Sequence, residues 1–356
     1  MLLGDVNSTH LKKWIQALAV DFHLALFSFN GPEEPAQLEL AALDVTLYCP
    51  KNYAKTKKIS YFLHYTRLKS AIESFKPDIT HAHYASSYGF FGALLRKQPF
   101  VVSVWGSDVF EFPRKSYFHK QLLQFVFRRA THLMSTSNIM ALEMKKYTNK
   151  EISITPFGVC ASTFTPKDRH HDGEKFIVGT VKSLEYVYGI DTLIRAFKAF
   201  HAQYPNSACH IYGRGSKETE YIHLIQSLGL TDTVFLKGYI PNDVVPSVLS
   251  TFDAFCALSR SESFGVAVLE ASSCAIPVIV NNIGGLTEVV DANQTGFIVN
   301  AKNEDEIVEK LLFLANESEK AKRMGLNGRS WVLAHFSWEK SVAIMRKHYE
   351  TVLKSN

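Results

Sequence analysis

Short apolar runs alternate along the chain with longer segments in which apolar residues recur every three or four positions. Runs of the first kind suit buried parallel strands, and segments of the second kind suit amphipathic helices. The strands predicted for the first half are His23–Phe29, Leu43–Cys49, Asp78–Tyr84, Phe100–Gly106 and Thr131–Ser137. The helices predicted beside them are Leu11–Asp21, Tyr61–Phe75, Lys120–Arg129 and Ile139–Tyr147. This repeated alternation of strand and helix predicts an α/β fold with a doubly wound parallel sheet.

A polar segment, Pro166–Lys175, interrupts the alternation and is the best candidate for a linker. The pattern then restarts, with a helix predicted over Ile190–Tyr204 and another beginning near Ser337. The strands predicted for this half are Phe176–Val181, Ser207–Gly213, Thr233–Gly238, Asp253–Ser259, Ile276–Asn281 and Gly296–Asn300. Because 356 residues exceed what one core usually serves, we expect two similar domains.

Composition narrows the class of protein. A hydrophobic content of 46% with 21% charged residues is typical of a globular protein, and no apolar run approaches the ~20 residues of a membrane helix. The first residues are too short and too polar for a signal peptide. The five cysteines are scattered without C-x-x-C spacing, which favours neither disulfides nor zinc. We therefore expect a cytoplasmic protein.

The net charge of +5 is modest, but basic residues concentrate in two segments that also carry aromatic residues, Lys51–Lys69 and Phe112–Arg129. Such helices can lie on an anionic membrane surface, at the inner face of the membrane in this case. They can equally be amphipathic helices with solvated lysines, and both interpretations stay open. No nucleic-acid motif accompanies them, so we expect no nucleic-acid partner.

The most informative chemistry lies in Ser259–Val290, where a polar loop leads into an apolar helix, a short strand and a glycine turn. Glu262 precedes the predicted helix and Glu270 lies in its second turn. The main-chain N–H groups of Ser263–Val266 would then form a helix N-terminus that suits phosphate. Two glutamates beside it suit the hydroxyl groups of a sugar and a ribose, although a helix cap and a solvated helix residue are equally simple interpretations.

This spacing resembles the E-x7-E signature of the retaining glycosyltransferases of family 4, also described as glycosyl transferases group 1. Ile154–Pro166, His210–Ser216 and Val234–Ser259 are similar to other segments of that family, so the resemblance extends over the whole chain. It implies a GT-B fold, with two facing Rossmann-like domains and a cleft between them. It also implies an acceptor-side domain over 1–165, completed by a terminal helix over 337–356, and a donor-binding domain over 166–336.

The resemblance also implies roles for individual residues. Glu270 would hold the ribose of a nucleotide sugar, and Glu262, with the main chain of Phe264 and Gly265, would hold hydroxyl groups of the donor sugar. The donor side would further include Ser183, Arg214 and Arg260. The catalytic residues are expected to be Glu262, Lys182 and Asp108, and the acceptor side to include His10, His83, Trp105 and Gly106.

The chain departs from the family at three places. Ser183 and Tyr188 stand where relatives carry an Arg and a Lys that contact donor phosphates, and we expect Lys182 and Arg214 to compensate. Trp105 stands where many relatives have a His, and Asp108 either contacts a sugar or caps the following segment. After a short first strand, Met1–Gly4, a loop with Asp5, Asn7, Ser8 and His10 replaces the usual glycine pair.

We therefore predict a metal-independent retaining glycosyltransferase that moves a hexose from a nucleotide sugar, a UDP-sugar, to a glycan or a lipid-linked acceptor. The basic segments suggest a role in cell-surface polysaccharide or lipopolysaccharide assembly. Neither a D-x-D motif nor a metal cluster is evident, so we expect no cofactor besides the donor. Two alternatives remain, a degenerate transferase-like nucleotide-binding scaffold without turnover and a sugar-nucleotide epimerase on the same fold. A dehydrogenase would need a G-x-G-x-x-G turn that is missing.

Overall fold

The computed structural model describes residues 1–50, 64–97, 99–167 and 175–354. They form two compact units, the first comprising Met1–Pro156 with Ser341–Asn356 and the second comprising Phe157–Lys340. The sequence placed the first boundary after residue 165. The boundary lies earlier because Phe157–Phe164 is tied to the second unit: the Ser273 hydroxyl donates to the Phe164 carbonyl at 2.7 Å, and Val159 N–H donates to the Phe336 carbonyl at 2.9 Å.

The first unit has a seven-stranded parallel sheet in the order β3-β2-β1-β4-β5-β6-β7. Its strands are β1 (Leu2–Leu3), β2 (Leu24–Phe27), β3 (Val45–Tyr48), β4 (Thr80–His83), β5 (Phe100–Val104), β6 (His132–Ser135) and β7 (Ile152–Ile154). Its helices are α1 (Thr9–Leu18), α2 (Glu34–Ala41), α3 (Tyr65–Phe75), α4 (Tyr88–Leu95), α5 (Ser107–Phe110), α6 (Tyr117–Arg129) and α7 (Asn138–Met144), with a 3-10 turn at Phe112–Arg114.

Local sequence explains where the helices of this unit begin and which side they bury. The Ser8 hydroxyl accepts from Leu11 N–H at the start of α1, and the Ser116 hydroxyl accepts from His119 N–H at the start of α6. The buried positions of α1 are Leu11, Trp14, Ile15 and Leu18, the spacing of one helical stripe. These stripes cover the sheet and leave the carboxyl ends of the strands to the loops.

The second unit has a six-stranded parallel sheet in the order β10-β9-β8-β11-β12-β13. Its strands are β8 (Phe176–Val181), β9 (Ser207–Tyr212), β10 (Val234–Gly238), β11 (Ala254–Ala257), β12 (Val278–Asn281) and β13 (Gly296–Val299). Its helices are α8 (Ile190–Gln203), α9 (Glu218–Ser227), α10 (Val245–Leu249), α11 (Val266–Ser273), α12 (Glu304–Asn316) and α13 (Ser318–His335), followed by α14 (Trp338–Lys354). Two 3-10 turns, Tyr186–Tyr188 and Gly284–Thr287, follow β8 and β12.

The C-terminal residues from Ser341 belong to the first unit. The buried Tyr349 hydroxyl lies 2.6 Å from His81 Nδ1, and His81 Nε2 lies 2.8 Å from the Ser103 hydroxyl. His81 therefore joins α14 to β4 and β5 in the interior. No helix within the described part of the chain is long and apolar enough to cross a membrane.

The prediction of two doubly wound parallel sheets is confirmed. Each predicted strand is present, most of them with trimmed ends, as His23–Phe29 is to β2, and the predicted short first strand is β1. Several elements were not predicted, namely the strand β7 and the helices α2, α4, α5, α9, α10, α12 and α13. The α4 sequence YGFFGALL is apolar nearly throughout and so has no helical period, and β7 has three residues at an edge of its sheet.

Candidate functional site

In the second unit, the order in which successive strands are added to the sheet changes direction between two neighbouring parallel strands, β8 and β11. From β8 the sheet continues through β9 to β10, and from β11 it continues on the other side through β12 to β13. Such a switch point, at the carboxyl ends of the strands, is where open parallel sheets bind ligands. Lys182 directly follows β8, and the loop carrying Glu262 follows β11, so the fold brings two predicted catalytic residues to this point.

Lys182 and Glu262 form an ion pair at the switch point. The Lys182 Nζ atom lies 2.6 Å from Glu262 Oε2, and the two side chains are only 12% and 14% exposed. The Ser259 hydroxyl donates to the same carboxylate oxygen at 3.4 Å. Lys182 Nζ also lies 5.0 Å from the centre of the Tyr188 ring, within the range of a cation–π contact. Two residues 80 positions apart are thus held together with little exposure to water.

Two glycines let neighbouring loops approach these residues closely. Gly284 has φ +53°, and a Cβ there would lie 2.1 Å from the Glu262 carbonyl oxygen. Gly213 has φ +143°, and a Cβ there would lie 2.0 Å from the Lys182 carbonyl oxygen. Only glycine fits both the backbone conformation and the space. The Gly285 N–H also donates to the Glu262 carbonyl at 3.0 Å, so both backbones are fixed before any ligand binds.

Helix α11 begins immediately after this loop. Gly265, with φ +111°, precedes its first residue, Val266, and the buried Phe264 holds the loop against the core. The first N–H groups of an α-helix have no partner within the helix and attract anions. Glu270 lies in the second turn of α11, as the sequence predicted. Its side chain is half-buried. An ion pair and a helix N-terminus therefore lie beside one loop.

The predicted cations of the donor side differ in their surroundings. Arg260 was predicted to contact the donor, but its guanidinium forms a two-point pair with Asp191, at 2.9 and 2.6 Å, and donates to the Tyr186 carbonyl at 2.6 Å. It also lies 4.0 Å from the centre of the Tyr186 ring. Arg260 therefore holds the loop before α8 in place, and its contact with the donor stays a prediction. Arg214 and Ser183 are exposed.

The first unit has its own switch point, between β1 and β4. The loop after β1 leads to His10 in α1, and His83 is the last residue of β4. The ring of Trp105, which follows β5, lies 5.2 Å from that of His83 and 6.0 Å from that of His10. Gly106 follows with φ +140°. The four residues predicted for the acceptor side are thus brought together at one sheet edge.

The two histidines of this group are electrically neutral at pH 7. Burial lowers the pKa of His83 to about 3. Burial, with a smaller effect of Lys13, lowers the pKa of His10 to about 4. His83 is 2% exposed, and within the described residues neither of its ring nitrogens has a hydrogen-bond partner. A buried imidazole without partners is costly, which makes His83 the residue of this group that most needs a further partner.

Asp108 was predicted to be catalytic, and the structure shows what its carboxylate contacts. Its side chain is fully buried, and its carboxylate accepts from the N–H groups of Ala85 at 2.8 Å, Trp105 at 3.1 Å and Gly106 at 2.9 Å. Burial raises its pKa to about 6, and these hydrogen bonds oppose the rise. Asp108 therefore anchors the loops after β4 and β5, and its catalytic role stays a prediction.

One residue at this edge was not predicted. Tyr84, which follows His83, has φ +88°, a conformation that non-glycine residues rarely adopt. Its hydroxyl is hydrogen-bonded to the Ser107 hydroxyl. Nothing in the sequence signals such strain, since tyrosine has no preference for positive φ. Among the described residues, no group of three or more His, Cys, Asp or Glu side chains is placed to hold a metal ion.

Comparison with known families assigns both halves of the chain. The family model described as "Glycosyl transferases group 1" matches residues 162–331, and the model "Glycosyl transferase 4-like" matches residues 1–137. An uncharacterized glycosyltransferase of Methanocaldococcus jannaschii is 26% identical over 348 residues, which cover 96% of this chain and 93% of that protein.

Solved structures agree in fold. Sucrose-phosphate synthase from Thermosynechococcus elongatus superposes with a TM-score of 0.85 at 18% identity, covering 100% of this chain and 99% of that one. HepE of Anabaena, solved in complex with UDP, superposes with a TM-score of 0.83 at 15% identity, covering 98% of both chains. At such identities the likeness establishes the two-domain GT-B fold and no finer property.

Proposed function

The chain belongs to the group 1 glycosyltransferases of family 4 and has the GT-B fold, and from this premise we propose that it moves a hexose from a UDP-sugar to a glycan or lipid-linked acceptor, with retention of configuration and without a metal ion. The observation that carries the proposal is the Lys182–Glu262 pair at the switch point of the second unit. In this proposal the pair supplies a cation for the departing diphosphate and a carboxylate for the sugar hydroxyl groups.

The donor's diphosphate would lie against the N-terminus of α11 and Lys182. In transfer from a nucleotide sugar, the bond between the sugar and the diphosphate breaks, and negative charge grows on the departing phosphate oxygen. Backbone N–H groups and an ammonium already in place stabilise that charge without having to reorganise. Glu262 would orient the sugar, and Glu270 would accept from ribose hydroxyl groups. Arg214 is exposed beside the Lys182 loop and is available as a second cation.

Retention follows from how the acceptor would attack. The described part of this site offers Glu262 as its carboxylate next to the donor sugar, and that carboxylate is already paired with Lys182. A paired carboxylate is a poor nucleophile, so we favour attack on the same face that the diphosphate leaves, with a phosphate oxygen taking the proton of the acceptor hydroxyl. The support for UDP is HepE, which was solved with UDP bound.

Glu270→Ala tests the donor site. Wild-type protein is expected to gain several degrees of thermal stability with UDP at a concentration about 100 times its Kd, because binding to the folded state alone contributes about 2.7 kcal/mol. The variant should lose most of that shift with both UDP and uridine, because the ribose is common to them. Parallel measurements with GDP and guanosine show which base the donor site binds.

The control for this measurement is Glu309→Ala, which removes an exposed helix carboxylate of the same unit. It should keep the full response to UDP. If no nucleotide stabilises the wild type, the proposed donor site is wrong, and a degenerate scaffold protein that binds no nucleotide is the better interpretation. If UDP binds but no UDP-sugar is consumed, the protein is a nucleotide-binding scaffold.

We place the protein at the inner face of the membrane, in assembly of a cell-surface glycan. The support is the exposed part of Phe112–Arg129, where Tyr117 and Phe118 are 77% and 71% exposed among basic residues. Most of the other basic segment, Lys51–Lys69, lies outside the described residues. Aromatic rings with lysines beside them are typical of surfaces that bind anionic lipid.

Co-sedimentation tests this attachment. At low salt, the protein should sediment with vesicles of phosphatidylcholine and phosphatidylglycerol but not with phosphatidylcholine alone. Lys115→Glu with Lys120→Glu should weaken binding about tenfold or more, since each lysine contributes about 1 kcal/mol near such a surface. Glutamates at Lys320 and Lys322, two exposed lysines of α13, are the matched control and should bind as wild type. Equal binding to both vesicle types would contradict the proposal.

A further inference from the structure

A cavity of about 580 Å³ opens in the first unit beside the strand-end loops that carry His83 and Gly106. Its volume is in the range of pockets that hold small ligands. It is formed by the loop after β4, the first turns of α4, the segment from α5 to the 3-10 turn, and α6. The predicted acceptor residues lie at the same sheet edge, but none of them lines the cavity.

The walls of this cavity are largely aromatic and apolar. Phe90 and Phe91 have ring centres 5.4 Å apart on one side, and Phe112 stands edge-to-face with His119, at 4.9 Å, on another. Leu122 of α6 completes the lining between them. Of these, Phe91 is buried while Phe90, Phe112 and Leu122 remain half-buried. Half-buried apolar side chains around an open cavity gain free energy when an apolar group covers them.

The cavity shares its wall with the predicted acceptor site. Tyr84 lines it and directly follows His83, and Ser107 lines it and directly follows Gly106. The hydrogen bond between their hydroxyl groups closes the wall. The strained backbone of Tyr84, at φ +88°, turns the chain from β4 toward the cavity. The cavity and the sheet edge that carries the predicted acceptor residues are therefore one residue apart along both loops.

The rim indicates what kind of molecule enters. Phe118 lines the cavity while remaining 71% exposed, and Tyr117 beside it is 77% exposed. Lys115 lies on the same rim and Lys120 follows one turn later on α6, both exposed. Exposed rings next to lysines suit the boundary between lipid headgroups and hydrocarbon, whereas a pocket for a water-soluble aromatic compound would enclose its rings.

We infer that this cavity holds the first part of the alkyl chain of a lipid-linked acceptor while the acceptor's sugar reaches the edge with His83 and Trp105. The inference deepens the proposed function and rests on it for the word acceptor. Phe90, Phe112 and Phe118 would then select acceptors by the length of their alkyl chain, while other residues hold the sugar. The alkyl chain would be recognised only through burial of its apolar surface, so the affinity should depend mainly on the number of its carbon atoms.

Binding of methyl, hexyl, octyl and decyl β-D-glucopyranosides tests the inference by calorimetry, each below its critical micelle concentration and with UDP present. The wild type should bind the alkyl compounds about fourfold more tightly for each added methylene group until the cavity is full, and the methyl compound hardly at all. Ser86→Trp, which fills the cavity without removing a packed side chain, should abolish the dependence on chain length. Tyr239→Ser, which removes a 65% exposed ring in the second unit, is the matched control and should bind as wild type.

UDP binding, measured in the same samples, separates this inference from the proposed function. If UDP binds but alkyl chain length has no effect, or the dependence survives in Ser86→Trp, the inference is wrong and the donor site stands. If Phe118→Ser weakens binding to anionic vesicles but not to decyl glucoside, the rings contact the bilayer and the cavity is not a chain site, which also overturns the inference. If UDP does not bind, the proposed function fails first.

Discussion

Replacing Lys182 by alanine is expected to lower kcat/KM for the nucleotide-sugar donor by about 10- to 150-fold, because a desolvated charge contact contributes about 1.5–3 kcal/mol. Both positions that carry the phosphate-binding Arg and Lys in relatives are uncharged here, Ser183 and Tyr188. Lys182 is 12% exposed at the switch point, whereas Arg260 is bound to Asp191. We therefore expect the diphosphate of the proposed donor to depend on Lys182 more than on any other predicted cation.

Comparing two ligands locates the lost interaction. UDP should bind Lys182→Ala at least about tenfold more weakly than wild type, whereas uridine, which has no phosphate, should bind both proteins equally. Lys320→Ala is the matched control, because it breaks an exposed ion pair with Glu317 in the same unit. Such pairs contribute about 0–1 kcal/mol and no effect on binding is expected.

A companion variant tests the pairing itself. Glu262→Gln removes the charge that competes with the diphosphate for Lys182, so it should bind UDP at least as tightly as wild type while transferring sugar more slowly. If Lys182→Ala lost uridine and UDP affinity equally, the substitution would have damaged the site as a whole. The assignment of Lys182 to the diphosphate would then be wrong.

The fold could be predicted from the sequence because the apolar runs of strands and the helical spacing of apolar residues are both visible within short stretches of sequence. Each strand of a parallel sheet covered on both faces is a short apolar run, so Phe100–Val104 and Val278–Asn281 were visible without any partner. Helix α4 was not, because eight nearly uniformly apolar residues carry no period. The domain boundary was displaced because it depends on which core Phe164 joins, and its partner Ser273 lies 109 residues away.

The candidate site was accessible only where the signal was local as well. Glu262 and Glu270 were found from their spacing, and Lys182 because it lies next to Ser183, the position where the family that the chain resembles carries an Arg. The ion pair of Lys182 with Glu262 joins residues 80 positions apart, so no window of sequence contains it. Arg260 was assigned to the donor side because it lies near Glu262 in sequence, and its partner Asp191 was not foreseen because it lies 69 residues away. The sequence identifies the charged residues, but only the structure shows which of them pair with one another.

Asp108→Ala is expected to destabilise the first unit by about 3 kcal/mol or more at pH 4. The substitution leaves the N–H groups of Ala85, Trp105 and Gly106 buried without their acceptor, and each such loss costs about 1–3 kcal/mol. Urea unfolding followed by hydrogen exchange of β5, which precedes these loops, reports on this unit alone. Asp253→Ala removes the half-buried carboxylate that accepts from Ile177 N–H in the second unit. It is the matched control, followed by hydrogen exchange of β8 in its own unit, and should cost about 1 kcal/mol.

The cost of Asp108→Ala should shrink as the pH rises, because the pKa of Asp108 is raised in the folded protein. Burial raises it to about 6 from 3.8, so between those values the folded state holds a proton that the unfolded state has released. Wild-type stability contributed by this group is therefore present below about pH 4 and is lost as the pH rises through 6, by about 3 kcal/mol in all. The Asp108→Ala variant has no carboxyl group at this position to titrate. The difference in the free energy of unfolding between the wild type and this variant should therefore narrow by about 3 kcal/mol between pH 4 and pH 7. A difference that widened over this interval would mean that the three N–H groups outweigh burial and hold Asp108 ionised, as a catalytic carboxylate would be.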